Sequence, residues 1–439
     1  MEMVSRTYLK TLPEQIKTGK IPKALVDEAV RRVLTVKFVK GLFEHPFTDE
    51  SRCIGAFLRP DALALARTAA AKSCVLLKNE NQALPLSHSA KRIALIGPLA
   101  DDQAEMLGCW VSRGHAEDAV SLAAGIRAQL APDAELTVVR GCDLAGAKNS
   151  QKRLDGTIAA GADTAKSGVD EMDRAVAAAN AADVVILALG EPTGWSGENS
   201  SRSDLGLPGR QQELFDAIAA TGRPVVVVLF NGRPLALPRI QEKATAILEA
   251  WFPGVQGGNG VADVLFGEVD PAGRLTATFP RSVGQVPLYY NHYNTGRPTL
   301  GKYLDGPSTP LYPFGFGMAY TTFEYGKVQL GATKMKAGGN LTASVTLKNT
   351  GQRAGTEVAQ LYIRDVAASA GPRPVRELKG FQKVLLQPGE SREVRFNISG
   401  KELGYYDTKG NWLVEPGPFQ LWISRDSASG EPVKFELAK

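Results

Sequence analysis

Apolar residues follow two different grammars along this chain, and the change falls near residue 325. From Asp61 onward, short apolar runs alternate with helical patterns. The runs are Cys74–Leu77, Ile93–Ile96, Leu136–Val139, Val184–Leu189, Val225–Phe230 and Ala246–Phe252. Each is apolar nearly throughout and bounded by turn residues, the signature of strands buried on both faces. Between them, Leu122–Leu130, Val169–Ala181, Arg210–Ala220 and Gly258–Phe266 repeat at helical spacing. The alternation predicts an α/β sandwich, a largely parallel sheet flanked by helices. Beyond residue 325 the period drops to two. Leu341, Ala343, Val345 and Leu347 alternate with Thr342, Ser344, Thr346 and Lys348. Val394, Phe396 and Ile398 alternate with Arg395 and Asn397, and Phe419, Leu421 and Ile423 with Gln420 and Trp422. With turns at Asn349–Gly351 and Pro388–Gly389, and no helical pattern between the strands, an all-β sandwich is predicted.

The first 40 residues read differently. Tyr8, Leu9, Leu12 and Ile16 mark a helix over Ser5–Thr18, which Gly19 ends. Pro22 opens a second helix with Leu25, Ala29, Val33 and Val36 on one face. This pair has no sheet of its own to cover, so a preceding segment is expected. Breakers at Gly41, Pro46, Gly55 and Pro60 mark a linker. Residues 144–168, polar and rich in Gly and Ala, read as a mobile loop. Residues 281–325 are rich in Tyr, Pro and Gly and read as a connection between domains, with Tyr289, Tyr290, Tyr293 and His292 packed inside it.

Composition narrows the function classes. The 439 residues are 44% apolar, with a net charge of +5 from 51 basic and 46 acidic residues. That balance, without a Lys/Arg run interleaved with aromatics, argues against a nucleic-acid partner. No stretch approaches the roughly 20 apolar residues of a membrane span. The four cysteines (Cys53, Cys74, Cys109, Cys142) form no CxxC pair and there are only four histidines, so no metal site is expected. The cysteines read as buried small hydrophobes, with one disulfide open if the chain is exported. The N-terminal residues lack the charged and apolar regions of a signal peptide. Trp110 and Trp251 read as core residues.

The segment GEPTGWSGENSSRSDLGLPGRQQEL (190–214) carries the most chemistry. It leaves the carboxyl end of a predicted buried strand, where open α/β sheets bind ligands. It holds two carboxylates, Glu191 and Glu198, with Trp195 and Arg202. Glycoside hydrolysis needs two carboxyl groups, one of them donating a proton to the leaving oxygen. A loop glutamate suits that role, and Trp195 suits stacking against a sugar face. The blander alternative is that Glu198 is a solvated residue paired with Arg202. Gly190, Gly194 and Gly197 do not have GxGxxG spacing, and GxxxxGK[ST] is absent, so a nucleotide loop is not indicated.

The segments VLLKNENQALPL (75–86), IALIGPLADD (93–102), GEPTGWSGENSSRSDLGLP (190–208), NGRPLAL (231–237), WFPGVQGGNGVADVLFGEVDPAGRL (251–275), FPRSVGQVPLYYNHYNTGRP (279–298) and LYPFGFGMAYTTF (311–323) resemble glycoside hydrolase family 3. They are especially similar to its bacterial periplasmic β-glucosidases. RPVRELKGFQKVLLQPGE (373–390) resembles that family's fibronectin-III-like domain. The resemblance implies three parts, a (β/α)8 barrel, an α/β sandwich and a fibronectin-like sandwich. With the linker and connection read from the residues, the chain divides into the last helices of the barrel (1–45), a linker (46–60), the α/β sandwich (61–280), the connection (281–325) and the fibronectin-III-like domain (326–439).

The resemblance further implies retaining hydrolysis of terminal β-D-glucosyl residues, on a β-glucoside or oligosaccharide, without metal or organic cofactor. Glu198 stands at the family's acid/base position, with Glu191 as second candidate. Arg202 matches a neighbouring family arginine and is read as supporting the loop; with Trp195 it is also a candidate substrate contact. The family's nucleophile is an aspartate in an SDW-type motif. Here the only Ser-Asp, Ser203–Asp204, is followed by Leu205. The nucleophile and its barrel are therefore expected to lie outside this chain, as a separate chain or an adjoining segment, and the isolated chain is expected to be inactive. A homo-oligomer is also open. The alternative from another class is a non-catalytic carbohydrate-binding or interaction module, or a truncated remnant. It predicts an exposed apolar patch near Tyr8, Leu9, Leu12 and Leu42. Family relatives imply a periplasmic or secreted location; Met1 as the natural start implies a cytoplasmic one.

Overall fold

The computed structural model describes residues 2–53, 55–112, 114–144, 169–294, 303–369 and 371–438. The predicted loop beyond Leu144 lies outside them. Contacts divide the chain into Met1–Ala62 and Leu63–Lys439. In the first unit, α1 (Thr7–Lys17) and α2 (Lys23–Val39) match the predicted pair to within two residues. The Glu2 carboxylate caps α1, accepting from the backbone N–H of Thr7 at 2.6 Å and of Tyr8 at 2.8 Å. Neither helix buries a residue. Tyr8, Leu9, Leu25, Val33 and Leu42 are all exposed, so these helices gain little from burial.

The second unit begins within α3 (Pro60–Ser73). Its pattern gave no prediction because PDALALARTAAAKS buries only Ala70 and Ala71 and has no broad apolar stripe. Six strands follow: β1 (Val75–Asn79), β2 (Arg92–Ile96), β3 (Glu135–Val139), β4 (Val184–Gly190), β5 (Val225–Phe230) and β6 (Ala246–Glu249). They form one sheet in the order β1-β6-β5-β4-β2-β3, parallel except for β1, which runs antiparallel along β6 at the edge. The helices are α4 (Leu122–Gln129), α5 (Val169–Ala181), α6 (Gln211–Ala219), α7 (Pro238–Lys243) and α8 (Gly257–Leu265). Only the six-residue α7 and α3 were not predicted.

The uninterrupted apolar runs supply two cores, one on each face of the sheet. Ile93, Leu95, Ile186, Ala188, Val226 and Val228 pack with α4 and α8. Ala94, Ile96, Val185, Leu187, Val227 and Leu229 pack with α5, α6 and α7. A strand with alternating polarity could not supply both faces. Helices α4 and α8 touch through glycine: a Cβ on Gly258 would lie 1.9 Å from the Ser121 carbonyl oxygen.

The sandwich has two sheets. One joins β10 (Leu341–Asn349) to β13 (Ser391–Ile398), β7 (Phe323–Tyr325) and β8 (Gln329–Leu330). The other runs β12 (Glu377–Leu386), β11 (Gly355–Asp365), β16 (Gly417–Ser424), β17 (Val433–Leu437) and β9 (Lys334–Met335). β14 (Tyr405–Tyr406) and β15 (Trp412–Leu413) form a small hairpin. One helical turn, α9 (Gly400–Leu403), interrupts the strands, contrary to expectation. It is too short to show periodicity, but Ser399 and Glu402 form a capping box around it.

β11 is buried on both faces. Ala359, Leu361 and Ile363 enter the sandwich core, whereas Val358, Gln360 and Tyr362 turn outward and are also buried. Gln360 Nε2 donates to the Gly315 carbonyl at 2.9 Å, and Tyr362 Oη donates to Gln360 Oε1 at 2.6 Å. Tyr290 stacks on Phe314 at 4.1 Å and meets Tyr362 edge-on. Of the four residues expected to pack in the connection, only Tyr290 does so. Tyr289, His292 and Tyr293 are exposed, because the segment bonds through its backbone there, Val375 N to His292 O. All four cysteines are free. Cys74 and Cys142 are buried as expected, but Cys53 is exposed and Cys109 half-exposed.

Candidate active site

The order of the sheet creates a crevice. β2 and β4 are neighbours, β3 lies beyond β2, and β5 and β6 lie beyond β4. The loops leaving β2 and β4 therefore part in opposite directions, at the switch point where α/β sheets bind ligands. Glu191, Trp195, Glu198 and Arg202 all lie on the loop after β4.

That loop is fastened at its base. Gly190 closes β4 at φ +151°, and a Cβ there would lie 1.8 Å from the Phe230 carbonyl oxygen. Gln211, fully buried at the start of α6, accepts from Gly190 N at 2.8 Å and donates to the carbonyls of Gly190 at 2.8 Å and Pro208 at 3.1 Å. One side chain thereby ties both ends of the loop. From the β2 side, Glu105 Oε2 accepts from Thr193 N at 2.5 Å. Burial pushes the Glu105 carboxyl up to about 7.

A buried charge cluster fills the loop's interior. Glu191 has no exposed surface. Arg202 Nη1 donates to its Oε1 at 2.7 Å, and Arg233, from the turn after β5, lies 3.2 Å from Oε1 and 3.3 Å from Oε2. Arg202 also donates to the Gly206 carbonyl at 3.0 Å and sits 4.9 Å from the centroid of Trp195. Arg233 donates to the carbonyls of Ser200, at 2.8 Å, and Trp195. Two guanidinium groups answer one carboxylate, and their spare donors take up backbone carbonyls, as buried charges require.

A second buried acid stands behind Arg233. Glu249, at the end of β6, accepts from Asn231 Nδ2 at 3.1 Å and Trp251 N at 3.0 Å. Asn231 Nδ2 also donates to the Arg233 carbonyl at 2.9 Å. Burial pushes the Glu249 carboxyl up to about 8, with the nearby Glu191 adding to the rise. Trp251 adopts φ +57°, which ends the strand short of the predicted Phe252.

The loop tip is different. Gly197 (φ +104°) and Asn199 (φ +60°) turn the chain on either side of Glu198. The Glu198 side chain is exposed and its carboxylate has no partner among the described residues; only its backbone carbonyl is engaged, by Ser200 Oγ at 3.3 Å. Arg202 thus pairs with Glu191, and the sequence-based alternative of a Glu198–Arg202 pair does not hold. Glu191 offers a substrate no surface. Trp195 is half-buried with Arg202 against its ring, while Arg202 is committed to the loop. Trp110, expected in the core, is 72% exposed and lies within reach of Gly197. Trp251 packs edge-on against Phe279 at 6.0 Å, as a core residue does. Glu105, Gln211, Arg233 and Glu249 were not singled out from sequence. The available signal was a glutamate inside an otherwise apolar predicted strand, Ala246–Phe252.

The fold and loop define a two-domain module: an α/β sheet with an acidic loop at its switch point, then a β-sandwich. Residues 74–320 match the glycosyl hydrolase family 3 C-terminal domain and residues 357–427 a fibronectin type III-like domain, and the chain belongs to glycosyl hydrolase family 3. It is 41% identical, over its whole length, to 59% of the periplasmic beta-glucosidase of Salmonella typhimurium. It is 37% identical over 92% of its length to 54% of a beta-xylosidase of Formosa agariphila. A beta-glucosidase from Listeria innocua, solved in complex with isofagomine, superposes with a TM-score of 0.85 at 36% identity, covering 98% of this chain and 58% of that one. The chain therefore spans little more than half the length of these relatives.

Proposed function

We propose that this chain is the acid/base half of a retaining β-glucosidase, and that Glu198 is the general acid and base. The observation that carries this reading is the contrast between the loop's base and its tip. The base is locked by Glu191, Arg202, Arg233 and Gln211, while Glu198 stands exposed at the loop tip with its carboxylate unpaired among the described residues. A rigid support and a free carboxyl suit a group that must meet a glycosidic oxygen precisely placed by another surface. In the retaining mechanism, the protonated Glu198 carboxyl delivers its proton to the leaving oxygen while a second carboxylate, about 5 Å away, attacks the anomeric carbon. Glu198 then takes a proton from the water that releases the sugar. The second carboxylate would come from a barrel domain of the kind that family members carry, either preceding this chain or as a separate partner. In that arrangement residues 1–45 close the barrel, 46–60 link it, and 61–280, 281–325 and 326–439 are the sandwich, connection and fibronectin-like parts. Similarity to a periplasmic relative supports an exported location.

The test compares the 439-residue chain with the same chain fused behind the barrel region of the Salmonella relative, on an aryl β-glucoside. Turnover is expected only in the fusion, with Glu198→Gln lowering kcat at least about a hundredfold. Robust turnover by the unfused chain, or a fusion indifferent to Glu198→Gln, would refute the reading.

A further inference from the structure

Where the outward face of the sandwich meets the α/β domain, a cavity of about 380 Å³ remains, far from filled by side chains. That volume lies within the range of small-molecule sites, roughly 300–1,000 Å³. Its walls combine two features. Trp251, Phe314 and Phe381 give it an aromatic lining, and Phe381 is 61% exposed. Lys72 from the end of α3, Arg274 and Lys383 from β12 bring three cations to the same space, and no Asp or Glu lines it among the described residues.

The charge there is balanced only in part. Arg274 pairs with Glu357 at 3.2 Å, a carboxylate shared with Tyr325 Oη at 3.2 Å, and the Asp270 carboxyl also lies near it. Both side chains of this pair are only 8% exposed, yet Arg274 Nε is buried with no hydrogen-bond partner. Lys72 and Lys383 form no ion pair among the described residues. Burial holds the Lys383 ammonium below its usual range, and the nearby Arg274 and Lys72 push it the same way. Lys72 and Lys383, which line the cavity without an ion pair among the described residues, repel each other, and an anion bound between them would attract both and offset that repulsion.

We propose that this cavity binds a small aryl carboxylate, with its ring against Phe314 and Phe381 and its carboxylate toward Lys72 and Lys383. The site is separate from the loop that carries Glu198, so it stands or falls independently of the glycosidase reading. Aromatic walls without cations would take a neutral ligand equally well, and cations without aromatics would take any anion. The combination selects a flat amphipathic anion.

Calorimetric titration of the full chain with 2-naphthoate and with its neutral analogue 2-naphthamide tests this. Single-site saturation by naphthoate is expected below about 1 mM, with the amide about tenfold weaker, as loss of a charge-assisted contact implies. Lys72→Gln with Lys383→Gln should weaken naphthoate by about tenfold or more, leave the amide unchanged and not lower the melting temperature, since two desolvated, mutually repelling charges are removed. Phe381→Ser should weaken both ligands. Equal binding of acid and amide, unchanged naphthoate binding in the double variant, or no saturation in that range would overturn the proposal.

Discussion

Arg202 donates to Glu191 across 2.7 Å, joining the descending half of the loop after β4 to its first residue. Between these two residues the chain is free to turn outward, and it does so at Gly197–Asn199 with Glu198 at the apex. The pair is closed to solvent, with Glu191 fully buried and the Arg202 side chain 12% exposed. Arg233 completes the closure from the neighbouring strand's turn. The loop is therefore long without being loose.

Removing Arg202 should free the loop at measurable cost to the fold. Arg202→Met leaves Glu191 with Arg233 alone, uncaps the Trp195 ring and strands the Gly206 carbonyl. Breaking a buried pair so that a charge is left uncompensated costs about 3–5 kcal/mol. Because Arg233 still answers Glu191, the loss here is expected to be smaller, about 1–3 kcal/mol, the scale of buried polar groups left without a partner. The urea midpoint should fall accordingly, and amide exchange over residues 192–206 should accelerate more than in the sandwich strands. A loss below about 0.5 kcal/mol, the usual scale of a surface change, would show that the pair does not hold the loop.

Glu198 should behave in the opposite way. Its carboxylate is exposed and unpaired, so Glu198→Gln is expected to leave stability within about 0.5 kcal/mol of the parent. Denaturation of the two proteins side by side checks this. A clear destabilisation would mean that the carboxylate has a structural partner, and a purely chemical role would lose its footing.

Much of this fold was legible because burial leaves a period in the sequence. Strands such as Val225–Phe230, apolar at every position, feed cores on both faces of the sheet, and both boundaries were read correctly. In the sandwich, β11, buried on both faces, and β12 and β17 were not read from the pattern, whereas the period-two strands β10, β13 and β16 were equally plain. Elements that pack without a stripe were not: α3 touches the core through alanines, and α7 is a single turn and a half. The loop was legible as a place for chemistry, but the wiring beneath it was not. Arg233 and Glu249 lie 42 and 58 residues from Glu191 in sequence, and only the order of β4, β5 and β6 brings them together. The blander alternative, a pair between the near neighbours Glu198 and Arg202, fails because the structure pairs Arg202 with the more deeply buried Glu191.

The two buried acids beside the loop set a direction for the pH dependence of stability. From the ordinary 4.5, burial raises the Glu249 carboxyl to about 8 and the Glu105 carboxyl to about 7. Burial also raises Asp102. Below the ordinary value, folded and unfolded chains both hold these protons and the contribution is flat. Above it, the unfolded chain releases them while the folded chain keeps them, so stability falls as pH rises. Glu105 stops contributing to the slope near 7 and Glu249 near 8. Each group contributes about 1.4 kcal/mol per pH unit within its window. Between pH 7 and 8 the slope then belongs mainly to Glu249, and Glu249→Gln, which carries no proton to lose, should flatten it there while leaving the decline between 5 and 7 from Glu105 in place. Urea denaturation at half-unit steps from pH 5 to 8.5 measures both slopes. A variant curve parallel to the parent between 7 and 8 would mean that Glu249 is already ionised in the folded protein. Asn231 and the Trp251 amide would then be holding a charge rather than a neutral carboxyl beside the Glu191–Arg233 cluster.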